Sequence, residues 1–451
     1  MRTSLPLIIS FISLVSYLQA DERPLPLSKG YWKDPSFLKS FNASYRINAR
    51  VEPYVTSEQK AVLVSIQSMM AKGQRDKAIS KLKSSSLTDS SAALTYNLGN
   101  LYFELGDMDK SEAAYLSAIK LYPSFRRAHK NLGVVRMRKN EVKSAMVSLV
   151  EALSLGDMSA STFGMLGYCH LQEGNTASAL HAYRMAQLSE PETIEWKAGV
   201  AQCLMDIDNL PEALSILEEV YRAKPEEDSY ALLLVNALLE SSKRDKAIAL
   251  LELLNRQERL STSNICLLAQ LYTSSGELRL AKKHFSSVLD KLNEESLPDF
   301  LKSVESVMYI GEWKYAETLL NAVGPKSLQT DSLIHKYDRL TAYCLFELNK
   351  PEARPHITKM LERTPLDGDA LLLMAKVYVK AGEFEKAEVL FERAQKIEEF
   401  SYRAFLEHGK LLVGEKRYEK ALEKYEAADS IKSNKQQRDY IEELEGITRR
   451  Q

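Results

Sequence analysis

Residues 91–123 read SAALTYNLGNLYFELGDMDKSEAAYLSAIKLYP, and the fold is read from this stretch. Leu94, Leu98, Leu101, Tyr102 and Leu105 recur at helical spacing, and Gly106-Asp107 interrupts the run. Ala114, Tyr115, Ala118, Ile119 and Tyr122 resume it before Pro123 ends it. The pattern predicts two helices joined by a tight turn. Gly99 leaves a notch on the first helix where a second helix approaches closely. Two helices of this length cannot enclose their own apolar faces, so the hairpin must stack on copies of itself.

The copies keep step. Gly99 is followed at one constant interval by Gly133, Gly167, Ala201, Val235 and Ala269. On the second helix the small residue recurs as Ala145, Ala179, Ala213, Ala247 and Ala281, with Leu149, Tyr183, Leu217, Leu251 and Phe285 four positions on. Ala316, Ala353, Ala387 and Ala421 mark four further units, with Thr341, Ala375 and Gly409 assigned to the notch, and Ala78 marks a weaker unit ahead of the quoted one. The expectation is an all-α chain of about eleven hairpins from roughly residue 59 to residue 433.

A helix-turn-helix period of 34 with Leu98, Gly99, Tyr102, Gly106, Tyr115, Ala118 and Pro123 resembles the tetratricopeptide repeat family. The likeness returns in Phe163, Leu166, Gly167, Gly174, Ala179, Tyr183, Ala186 and Pro191, and late in the chain in Tyr378, Gly382, Ala387, Phe391 and Ala394. Ser111 stands where the family usually has alanine. The resemblance implies a right-handed superhelical solenoid of about eleven such repeats. Its motif is structural, so it speaks to architecture more than to task.

The expected organisation is a signal peptide at 1–20, an extended N-terminal arm at 21–58, one repeat array at 59–295, a second at 296–433 after an irregular unit, and a capping helix at 434–451. The segment 1–20 carries Arg2, an apolar run from Leu5 to Leu18, and Ala20 ahead of Asp21-Glu22, the form of a secretory signal. Leu18 lies where a small residue is preferred, which leaves an N-terminal membrane anchor as the alternative to cleavage. The arm sets Tyr31, Trp32, Phe37, Phe41, Tyr45 and Tyr54 among Pro24, Pro26, Pro35 and Pro53, which excludes one long helix. It reads either as a cap over the open end of the first hairpin or as a dock for a partner. Around 297–308 the notch is lost from view, with Lys302, Ser303, Val304 and Glu305 in its place, so 290–332 is either a bend between two sub-arrays or a degenerate unit.

Lysine and arginine number 60 against 61 aspartate and glutamate, a formal net charge of −1, so no basic excess points to nucleic acid. Cys169, Cys203, Cys266 and Cys344 fall in the first helices of four different units. Stacked helix axes about 8–10 Å or more apart separate equivalent cysteines too far for easy bridging, and the four read as small buried hydrophobes. The seven histidines are scattered, and the chain has no HExxH, CxxC, EF-hand, GxSxG or phosphate-loop motif. The expectation is therefore no enzyme, no cofactor, no metal and no small-molecule substrate.

What remains is surface. In the family it resembles, first helices of successive hairpins line a groove that holds a peptide or helix of a partner, and inner-face asparagines grip the ligand backbone. Asn97 and Asn131 occupy the same slot in successive units, with Asn100, Arg127, Lys130 and Arg138 on neighbouring slots and Tyr96, Phe103 and Tyr168 among them. An amide both donates to and accepts from a peptide backbone, and the basic side chains favour an acidic segment or a free carboxylate. Changing Asn97, Lys130 and Asn131 together is expected to weaken capture of a partner without altering thermal unfolding. Beyond this basic stretch the face turns acidic and polar through Glu195, Gln202, Asp206, Asn236, Glu240, Gln270 and Ser274. Two functions follow: an exported, periplasmic adaptor that gathers proteins of the cell envelope, or a self-assembling structural repeat protein.

Overall fold

The quoted hairpin shows how each unit is closed. The Ser91 hydroxyl accepts the Leu94 N–H at 3.3 Å, which satisfies one of the open donors at a helix start. At the other end Gly106, in the left-handed region at φ +81°, turns the chain, and the Asp107 carboxylate then accepts the Lys110 N–H at 3.2 Å to open the next helix. The first helix of the pair, Ala92–Leu105, is buried almost all round, whereas its partner buries mainly Ser111, Ala114, Tyr115 and Ala118. First helices lie inside the stack and second helices outside it, which explains why the latter look the more amphipathic.

In the computed structural model, residues 31–35, 37–38, 52–324 and 328–449 are described; the signal-like segment 1–20 lies outside them. All regular structure among the described residues is helical. The hairpins run α1 (Ser57–Ala71) and α2 (Arg75–Ser84); α3 (Ala92–Leu105) and α4 (Met108–Leu121); α5 (Arg126–Arg138) and α6 (Val142–Ser154). Next come α7 (Ala160–Gln172) and α8 (Thr176–Ser189); α9 (Ile194–Asp206) and α10 (Leu210–Ala223); α11 (Asp228–Glu240) and α12 (Arg244–Arg256). They continue as α13 (Thr262–Ser274) and α14 (Leu278–Val288); α15 (Leu297–Tyr309) and α16 (Trp313–Val323); α17 (Asp331–Glu347) and α18 (Ala353–Arg363). The last are α19 (Gly368–Lys380) and α20 (Phe384–Gln395), then α21 (Glu398–Gly414) and α22 (Tyr418–Ile431), closed by α23 (Lys435–Thr448). The final helix covers the last hairpin by packing Tyr440 edge-on to Tyr425, ring centroids 5.1 Å apart, and by burying Leu444. The chain divides into two compact units, residues 1–250 and 251–451.

One backbone position recurs in every hairpin. The turn between its helices carries a left-handed residue, in order Gly73, Gly106, Asn140, Gly174, Asp208, Ser242, Gly276, Gly311, Asn349, Gly382 and Lys416. Glycine, and to a lesser degree asparagine or aspartate, takes this conformation readily, but a lysine is strained there. Replacing Lys416 (φ +62°) with glycine is expected to stabilise the second unit by about 1 kcal/mol, measured by urea unfolding; a loss of stability would contradict this account of the turn.

The same turn residue locates the notch seven positions before it, and two expectations change. The unit around 297–308 keeps its notch as Val304, wholly buried within α15, so it is a regular hairpin with one residue inserted. Ser303 beside it is also buried, its hydroxyl donating to the Cys266 carbonyl at 3.0 Å. In the next hairpin the notch is Ala342, fully buried, rather than Thr341. The four cysteines are free and buried, and burial pushes the Cys169, Cys203 and Cys266 thiols up to about 12 and Cys344 up to about 11. All four are expected to resist a thiol reagent in the folded protein and to react on denaturation.

The arm departs from a simple cap. Val55 packs against the first hairpin with Leu63 and Ile66, but Tyr31 and Phe37 join the core that contains Tyr96 of α3 and Trp196 of α9. An aromatic ring needs a broad apolar platform, and Trp196 offers one.

Candidate functional site

The residues expected to line a groove converge on the first helices α3, α5 and α7, and most are tied into the protein. The Asn131 amide nitrogen donates to the Tyr96 hydroxyl at 2.9 Å and to Asn100 Oδ1 at 3.0 Å. Asn100 Oδ1 also accepts from the Tyr115 hydroxyl at 2.6 Å. Asn97 donates to the Ala93 carbonyl at 2.7 Å. All three asparagines are buried. This network pins α3, α4 and α5 to one another, and removing a member leaves buried polar atoms unmet. Asn131→Ala is therefore expected to lower the stability of the first unit by about 1–3 kcal/mol. A triple change at Asn97, Lys130 and Asn131 is therefore expected to alter thermal unfolding, against the expectation from sequence that it would not.

The basic residues have acidic company. Arg127 Nε lies 2.9 Å from Glu52 Oε1, with Arg126 at 3.8 Å from the same oxygen. Glu52 belongs to the arm, and its carboxylate is almost fully buried. Burial raises its pKa and the Arg127 guanidinium pulls it back, leaving it above the usual carboxylate range. Lys130 donates to the hydroxyls of Ser159 at 2.9 Å and Ser161 at 2.8 Å, and Asp157 stands 3.7 Å away. Burial lowers the Lys130 ammonium against the opposing pull of Asp157. Arg138 is exposed, its guanidinium 5.7 Å from the centre of the Phe103 ring. Tyr168 is buried, and that burial raises its phenol.

Farther along the row, Trp196 and Tyr31 meet edge to face at 5.8 Å between ring centroids, with Phe37 at 5.0 Å from Tyr31. Trp196 lies over Gly164 of α7, where an added Cβ would fall 2.1 Å from its ring. Its indole nitrogen is buried and has no hydrogen-bond partner among the described residues. Glu195 accepts from Lys224 Nζ at 2.7 Å. Gln202 and Asn236 are buried, and Asp206 is exposed. Glu240 is half-buried on α11, whereas Gln270 and Ser274 belong to the second unit. Glu52 and Trp196 had no sequence signal of their own, because neither falls on the polar slots that the repeat phase marks.

Other charged clusters bind helices together. Glu112 of α4 accepts from Arg136 Nε at 2.8 Å and Lys139 Nζ at 2.7 Å. Burial opposes its ionisation, but the two cations prevail and hold the carboxyl below its ordinary value. A carboxyl lowered by folding stabilises above its unfolded value and loses that contribution as pH falls through the folded one. Glu112→Gln should thus lower the thermal midpoint at about pH 7 and lose its effect below about pH 4; an undiminished effect in acid would contradict the pairing. In the second unit, Arg339 bridges Glu305 at 2.9 Å and Asp369 at 3.4 Å, and Arg403 reaches Asp369 at 3.1 Å. Among the described residues no three metal-ligating side chains are grouped, and no helix is long and apolar enough to cross a membrane.

Three stretches match tetratricopeptide repeat family models: residues 92–125, 165–228 and 351–405. The chain carries tetratricopeptide repeats in both units, and such repeats generally serve protein–protein interaction and are generally non-enzymatic. Over 327 residues, 66% of this chain, it is 22% identical to the CTR9 homolog of Arabidopsis thaliana, and it spans only 28% of that relative's length. Solved structures to which this chain is similar include MamA from Desulfovibrio magneticus RS-1, at 18% identity and a TM-score of 0.35, covering 39% of this chain and 99% of that one. A tetratricopeptide repeat protein from Parabacteroides merdae ATCC 43184 is 16% identical with a TM-score of 0.39, covering 62% and 98%.

Proposed function

We propose that the protein is a non-enzymatic adaptor that is exported to the cell envelope and holds an extended segment of a partner protein against the first helices of its first unit. The observation that carries this reading is the seat of Glu52: a carboxylate on non-repeat chain, buried against Arg126 and Arg127. This supports a face that takes a carboxylate from a non-repeat segment, the chemistry expected of its basic slots. Export rests on the signal-like segment 1–20, with a periplasmic site as the reading and an N-terminal anchor as its alternative.

The test is affinity capture from the native envelope with the full chain and its Arg127→Glu variant, followed by mass spectrometry. The adaptor reading expects a defined set of proteins retained by the first and lost by the second. Identical captures would remove the face from the account. Size-exclusion with light scattering addresses the structural alternative: a large homogeneous self-assembly without captured proteins would favour it.

A further inference from the structure

We infer that the N-terminal arm is a built-in competitor for this face. The partner segment that replaces it carries an aromatic ring for Trp196 and a carboxylate for the Arg126–Arg127 pair. The inference rests on the adaptor reading and names its ligand and its regulation.

The arm touches the face at two separated places. Glu52 sits at the start of α5 against Arg126 and Arg127, and Tyr31 sits at α9 against Trp196. The Lys130 site is linked to both: its Asp157 also acts on Glu52, and Glu190 acts on both Lys130 and Tyr31. The arm therefore meets the row of first helices at both ends of the stretch where a partner's extended chain would lie. What it places there defines what the face accepts: a ring on the indole and a carboxylate on the guanidinium groups.

The fit is incomplete in a way that favours exchange. The Trp196 N–H is buried without an acceptor among the described residues, a cost that a better ligand removes by offering a carbonyl or carboxylate oxygen. The Tyr31 phenol is raised by its burial and by the nearby Glu195 and Glu190 carboxylates, so its hydroxyl stands in an acidic setting. Glu52 in turn is held in a dry site that disfavours its charge. A segment that supplies the same ring and carboxylate and also meets the indole donor displaces the arm. With the arm in place, apparent affinity for a partner is reduced by the fraction of molecules whose face is open.

The probe is a fluorescent synthetic peptide with the sequence of residues 29–54, titrated by anisotropy into the full chain and into the triple variant Tyr31→Ala, Phe37→Ala, Glu52→Gln. The variant, verified as helical by circular dichroism, is expected to bind at least ~10-fold more tightly, because its face is no longer filled from within. Adding Arg127→Glu should abolish binding, and a peptide with arginine in place of Glu52 should recover it, which a folding defect would not do. Equal affinity of the two proteins, binding by neither, or failure of the charge exchange would overturn the inference. If the peptide binds as expected while the envelope capture retains nothing, it is the adaptor reading that fails, and the arm remains an occupant of the face.

Discussion

Tyr183→Ala is expected to destabilise the first unit by about 3–5 kcal/mol, the range for truncating a large buried aromatic residue. Tyr183 is fully buried between two hairpins. A Cβ added at Gly167 of α7 would fall 2.8 Å from its ring, and one at Gly199 of α9 would fall 2.6 Å from it. The ring therefore occupies space that both glycines leave open, and removing it opens a cavity that two rigid helices cannot collapse into. Its hydroxyl has no hydrogen-bond partner among the described residues, so Tyr183→Phe should be neutral or stabilising by about 1 kcal/mol. Urea unfolding of the two variants checks both signs. A mild effect of alanine with a damaging effect of phenylalanine would mean that the residue acts through its hydroxyl.

Gly164→Ala is the second large effect. Alanine in place of a mid-helix glycine ordinarily gains about 1 kcal/mol. Here the new methyl would meet three atoms of the Trp196 ring at 2.1 to 2.4 Å, and Trp196 is only 1% exposed, with no solvent side to retreat into. Overpacking of this kind costs about 1–3 kcal/mol or more, so the clash outweighs the propensity gain and the net expectation is a loss of about 2 kcal/mol. A smaller side chain at 196 should relieve it. In a double-mutant cycle with Trp196→Leu, the glycine substitution should turn from harmful to neutral or favourable. Additive effects would contradict the contact.

Most of the fold was legible because the hairpin repeats its own grammar. Gly99, Gly133 and Gly167 stand at one phase, and each receives the bulky residue the spacing assigns to it: Tyr115, Leu149 and Tyr183. The reading failed where a residue's type misrepresented its place. Val304 escapes the reading because one inserted residue puts it a position out of the strict register set by Ala269, yet it fills a notch of the same kind as Val235, both fully buried. The more regular marker, the left-handed turn residue, was hidden because Asp208, Ser242 and Lys416 adopt it where glycine would announce it.

The site was harder to read. Helical periodicity identifies which side chains share a face, and Tyr96, Asn100 and Asn131 do meet. Periodicity does not say whether their polar groups turn outward or toward one another. It is also silent on the arm, which has no repeat. That Glu52 meets Arg127 and Tyr31 meets Trp196 depends on contacts between positions far apart in the chain, and no local pattern encodes these.

The most direct measurement is a photo-crosslink from the arm. A benzophenone side chain substituted at Tyr31 of the full chain, irradiated at low protein concentration and mapped by mass spectrometry, is expected to join within the same molecule to peptides from residues 194–206. Crosslinks confined to the first hairpin, residues 57–84, or to a second molecule would contradict the placement of the arm on the face that receives the partner.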